Sequence, residues 1–89
     1  MKAVITVVGH DSIGIIAKVS ARCADFSVNI SDITQSVLSD YFVMIMIVDI
    51  SRMTTDFAEF SSSLESLGDN DGLVIHVMHE DIFNSMHRI

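Results

Sequence analysis

Two runs of this chain are apolar in both phases of a two-residue repeat, and this restricts its fold more than any other feature. Residues 1–8 read MKAVITVV, dominated by β-branched side chains with apolar residues on both alternating faces. Residues 42–48 repeat the pattern, with Phe42, Met44, Met46 and Val48 in one phase and Val43, Ile45 and Ile47 in the other. Successive strand side chains point to opposite faces, so a strand apolar in both phases needs cover on both. With 89 residues there is room for one domain, 1–89, and only central strands of a layered sheet meet that demand.

Between these runs the period changes. Ile16, Val19, Cys23 and Phe26 recur at helical spacing opposite Lys18, Arg22 and Asp25, predicting a first helix over Ile15 to Phe26 that packs by the first set. Ser27-Val28-Asn29 is a short connection. Ile30 to Ser39 is extended, with Ile33, Gln35 and Val37 on one side, and Ser39-Asp40 turns it into the second apolar run as a hairpin. Thr54 or Thr55 with Asp56 opens a second helix bearing Phe57, Phe60, Leu64 and Leu67, and Gly68 stands where a terminating glycine belongs. The turn-forming cluster Asp69-Asn70-Asp71-Gly72 leads into a last strand, Leu73 to His79. The tail from Glu80 carries Ile82, Phe83, Met86 and Ile89 on one side. Glu80 and Asp81 at its start and His87 and Arg88 near its end suit a short helix's dipole.

The order βαββαβ is an α+β, ferredoxin-like sandwich: a four-stranded antiparallel sheet, two helices on one face and a short C-terminal helix. Two helices leave the second face open. Large apolar patches are uncommon on soluble monomers, so that face or an edge strand is expected to be buried by the tail, by another copy, or by both, which makes a homodimer the default expectation.

Composition removes several functions. Five basic residues against 12 acidic give a net charge of −7, which disfavours nucleic acid because affinity for it comes mainly from Lys and Arg on phosphates. One cysteine, Cys23, excludes an internal disulfide and a cysteine-paired metal site, and agrees with a reducing compartment. The chain shows no leader pattern, and its longest apolar run is far short of a membrane span. A cytoplasmic protein without membrane or nucleic-acid partners is expected.

The feature that looks like a site is Gly9-His10-Asp11-Ser12-Ile13-Gly14, between the first strand and first helix. Glycines at both ends permit unusual backbone angles and close approach, and Asp11 or Ser12 can serve as N-cap. The first-turn amides of such a helix favour an anion. The turn has no Arg or Lys for acylphosphatase-type chemistry and no cysteine for a metallochaperone. The first strand has no aromatic for an RNA-reading sheet. No nucleophile, base and orienting residue form a set, so a non-enzyme is expected, without a cofactor.

The segment ITVVGHDSIGIIAKVSARCADFSVNISDITQSV resembles the ACT domain family: strand, Gly-x-Asp-x-x-Gly, apolar helix, then Asn-Ile opening the second strand. The likeness covers nearly all of the chain. The ending EDIFNSMHRI resembles the stand-alone bacterial UPF0237 branch, related to glycine-cleavage repressor modules. Ser12-Ile13 departs from the pattern where many members carry a proline, which implies a less rigid loop. The resemblance implies a regulatory module that pairs with a second copy. It also implies an amino acid held near the seam by the first loop of one copy and the opening of the second strand of the other. Carried over, the ligand-binding residues are Gly9, His10, Asp11, Ser12, Ile13, Gly14, Asn29 and Ile30. Such a module acts in trans on an unidentified regulated protein.

Two other readings stand beside it. The glycine turn can be purely structural in a dimeric adaptor that binds no ligand. His76, His79 and His87 with Glu80 have metal-ligand chemistry, but three residues along a strand put His76 and His79 on opposite faces, so no metal site is expected.

Overall fold

A computed structural model of the chain describes residues 1–10 and 13–87. The elements run β1 (Lys2–His10), α1 (Ile15–Asp25), β2 (Asn29–Leu38), β3 (Tyr41–Asp49), α2 (Phe57–Asp71), β4 (Leu73–His79) and α3 (Glu80–Met86). The sheet has the order β2-β3-β1-β4 with every neighbouring pair antiparallel. Thus the two runs apolar in both phases are the two central strands, β1 and β3, and the architecture is the βαββαβ ferredoxin-like sandwich.

One phase of each strand builds the core beneath α1 and α2. Ala3, Ile5 and Val7 of β1, the even positions Phe42 to Val48 of β3, and Leu73 and Ile75 of β4 pack under Ile15, Val19 and Cys23 of α1 and Phe60 and Leu64 of α2. In α1 the leading buried residue is Ile15, and Ile16, expected in the core, is only half-buried at its margin. The helices are tied by Arg22, whose Nη1 donates to the Ser63 carbonyl at 3.0 Å and to its Oγ at 2.6 Å. Asp56 caps α2, its carboxylate accepting from the Glu59 amide at 2.8 Å, while the Thr55 hydroxyl donates to the Glu59 carboxylate.

The far end of α2 corrects the sequence reading. The helix passes through Gly68 and continues to Asp71, so Asp69, Asn70 and Asp71 form its last turn rather than a loop. Gly72, at φ +72°, is the left-handed cap, and its amide returns to the Gly68 carbonyl. Gly68 is glycine for a different reason: a Cβ there would lie 2.7 Å from the Leu73 carbonyl oxygen and 2.9 Å from Ile75 Cγ1. It lets α2 sit directly on β4.

The second face is half covered. Val4 is fully buried yet lies outside the core beneath α1 and α2, in register with Ile47 and Met78 on the opposite surface of the sheet. Its cover is α3, which packs on β1 and β4 and whose Phe83 borders a hollow shared with Ile45, Ile47 and Thr34. The tail therefore shields the half of this face where β1 begins. Val8, Val74, Tyr41 and Leu38 at the other end remain exposed. Arg88 and Ile89, the expected end of the tail helix, lie outside the described residues.

Candidate ligand site

The glycine turn divides into parts with different roles. Gly9 is still strand, paired with Phe42 and Leu73, and a Cβ on it would lie 2.6 Å from Leu73 Cδ2. Close packing of β4 requires this glycine, rather than the turn. His10 closes β1 opposite Tyr41, and their rings stack at 5.1 Å on the open side of the sheet. Asp11 and Ser12, the expected capping residues, lie outside the described residues. The N-cap position itself belongs to Gly14, in the left-handed region at φ +84°, where side-chain-bearing residues are strained. Ile13 beside it is 97% exposed.

Gly14 offers no side chain to the helix it starts. Its carbonyl accepts from the Lys18 amide at 2.9 Å, the first bond of α1. A hollow of about 300 Å³ lies over this helix start, lined by Gly14, Ile15, Ile16, Ala17, Gln35, Val37 and Phe42. Gln35 and Val37 of β2 and Phe42 of β3 line it on one side and the first turn of α1 on the other. A lining that is apolar apart from Gln35, beside first-turn amides, suits a small molecule with an anionic head and a short apolar body. Lys18, one turn into the helix, places its ammonium 3.1 Å from Asp71 Oδ2. Gln35 and Val37 are additions to the expected set. Their sequence signal was a polar residue in the apolar, helix-facing phase of β2.

Asn29 and Ile30 stand elsewhere in the subunit. They open β2 at the end where β1 begins, Asn29 opposite Asp49 and Ile30 opposite Val48. At about 3.3 Å per residue, the length of β1 separates them from the glycine turn by roughly 27 Å. One chain alone does not bring the two halves of the expected site together. Asn29 lines a polar hollow of about 380 Å³ with Ser27, Asp49, Ser51 and Arg52. Hydrogen bonds from the hydroxyl and amide of Ser51 hold the Asp49 carboxyl below its ordinary value, the amide at 2.9 Å. Ile30 packs against the core.

The other reactive residues are dispersed. His76 faces the open side opposite Thr6, whereas His79 falls in the other phase and stacks on Phe57 at 4.1 Å. Among the described residues no three His, Cys, Asp or Glu are grouped to hold a metal, and no helix is long and apolar enough to cross a membrane. Cys23 is buried, which pushes its thiol up to about 11 and keeps it protonated.

A ferredoxin-like sandwich with a glycine-started first helix and a hollow at an unpaired strand edge defines a class of small binding modules. The chain belongs to the ACT domain family, whose model matches residues 2–78. A UPF0237 protein of Methanococcus maripaludis is 52% identical over 97% of this chain and 96% of its own. Among solved structures, an ACT domain protein from Streptococcus pneumoniae superposes with a TM-score of 0.81 at 40% identity, over 98% of both chains. The regulatory subunit of an aspartate kinase from Thermus thermophilus gives 0.66 at 28% identity, over 85% of this chain and 49% of that one. Family and neighbours together support a regulatory ligand-binding module. The family match ends at residue 78, so α3 lies beyond it.

Proposed function

We propose that this chain is a non-catalytic regulatory module that binds a small amino acid as a homodimer and acts in trans on another protein. The observation that supports this reading is that Asn29 and the hollow over α1 lie toward opposite ends of one edge strand, β2. Among the described residues β2 pairs only with β3, and its ten residues include no proline or lysine to block a further strand. Its start carries Asn29, and its other end borders the hollow over α1. Antiparallel pairing of two β2 edges about a two-fold axis sets Asn29 of each copy beside the hollow of the other. The first-turn amides of α1 then receive the α-carboxylate, Asn29 accepts from the α-ammonium, and Ile16 and Val37 contact a short side chain. Because both copies contribute, occupancy favours one mutual arrangement over others, and that difference in affinity is what a regulated partner reads.

A thermal-shift screen of the twenty protein amino acids at millimolar concentration tests this directly. A ligand selective for the folded dimer raises stability by about 2.7 kcal/mol at one hundred times its Kd, several degrees or more in melting temperature for a domain of this size. A folded dimer that none of the twenty stabilises would make the module an adaptor rather than a sensor.

A further inference from the structure

The half of the sheet face left bare by α3 is mainly apolar and carries no acidic strand residue among those described, with His10 and Ser36 as its polar strand positions beside Val8, Val43 and Tyr41. Val8 lies there in register with Val43 and Val74, and Tyr41 with Leu38. No Asp or Glu occupies a described strand position facing outward in this half, although the chain carries a net charge of −7. Like-charged copies therefore meet least repulsion here. The nine residues of β1 or β3 extend about 30 Å, and a helix with its side chains is about 10 Å across. After α3 is seated, about 20 Å of strand length is left, ample for a further helix of the same girth.

We propose that the occupant is α3 of a second copy, with two chains packing open face to open face about a two-fold axis that runs across the strands. An axis along the strands would instead set ridge against ridge. The crosswise axis exchanges the ends of each strand while keeping the order from β2 to β4, so each α3 drops into the partner's bare half. α3 leaves β4 at His79 and runs toward β2, where Phe83 borders Thr34. Its acidic start, Glu80 and Asp81, thus falls over the partner's β4, where His76 is exposed and faces the same side. Ile82 and Met86, exposed on α3, meet the partner's Val8 and Val43. Area agrees with a ridge in a hollow: four strands about 4.8 Å apart make a flat face of roughly 570 Å², short of the standard ~800 Å² per partner. The flank of each α3 supplies the remainder.

This surface is distinct from the β2 edge, and the two together make a tetramer. Light scattering on the full chain at micromolar concentration is expected to give four times the 9.8 kDa chain mass. Val74→Glu, at a position 57% exposed and so tolerant of the change, is expected to halve that mass while leaving the circular dichroism spectrum of the folded subunit unchanged. A wild-type mass of two chains that Val74→Glu reduces to one retains the face and removes the edge pairing. A mass that Val74→Glu leaves unchanged overturns the proposal whatever becomes of the edge. As a second readout, Val74→Cys combined with Asp81→Cys is expected to give a disulfide between chains on mild oxidation. Within one chain the five residues from Val74 to His79 already span about 17 Å, far beyond the ~7 Å Cα separation a disulfide permits. Absence of the covalent dimer in a folded double variant would also overturn the proposed packing.

Discussion

Replacing Gly68 by alanine sets two effects of opposite sign against each other. In a helix interior alanine is favoured over glycine by about 1 kcal/mol, so a position with free space would gain stability. Here the added Cβ lies 2.7 Å from the Leu73 carbonyl oxygen and 2.9 Å from Ile75 Cγ1. The first of these is backbone of the adjoining strand, which cannot swing aside, so α2 must lift from β4 and loosen Phe60 and Leu64 beneath it. Overpacking of this kind costs about 1–3 kcal/mol, and a rigid obstacle puts Gly68→Ala at or above the upper end of that range. The net effect is a loss of about 2 kcal/mol, roughly 10 °C in melting temperature for a domain of this length. Gly72→Ala is the paired control: its Cβ meets nothing within 4 Å, and only the φ of +72° resists it, at about 1 kcal/mol. Urea unfolding followed by circular dichroism gives both values from the midpoints. Gly68→Ala as stable as the parent, or more so, would refute the close approach of α2 to β4.

Burial raises the Cys23 thiol to about 11 against 9.0 for a free thiol, so the folded chain holds that proton more tightly than the unfolded chain. Stability from this source is complete below about pH 9 and declines as the pH rises toward about 11. Urea midpoints over that interval should therefore fall more steeply for the parent than for Cys23→Ala, and parallel curves would count against a buried thiol. Asp56→Ala removes the carboxylate that receives the Glu59 amide and should cost about 1 kcal/mol in the same assay, while Asp56→Asn should retain most of it. Equal stability of Asp56→Ala and the parent would argue against the cap.

Side-chain phase carried most of the fold. Residues 1–8 and 42–48 are apolar on both faces because β1 and β3 are central strands, and Asp56 announced α2 because its capping bond is local. Gly68 misled for a physical reason. A glycine followed by Asp-Asn-Asp-Gly has the local chemistry of a helix end, and only the tertiary approach of β4 reveals it as an interior contact. The site was legible in part. Gly14 starts α1 as a glycine in an unusual conformation, but Gly9 belongs to the strand and owes its identity to Leu73. Gln35 and Val37 became part of the hollow only once α1 was laid over β2, a contact that no local pattern encodes. The tail's apolar positions were readable, whereas its covering only half of the open face depends on the direction in which α3 leaves β4.

The most direct measurement is an amide chemical-shift titration of the isotope-labelled full chain with whichever amino acid raises its melting temperature most. If the ligand bridges two copies, the amides of Ile15, Ile16 and Ala17 and those of Asn29 and Ile30 move together and saturate at one concentration, although the length of β1 lies between them within a subunit. Shifts confined to one of these groups, or absent from both, would contradict a site built across the β2 edge.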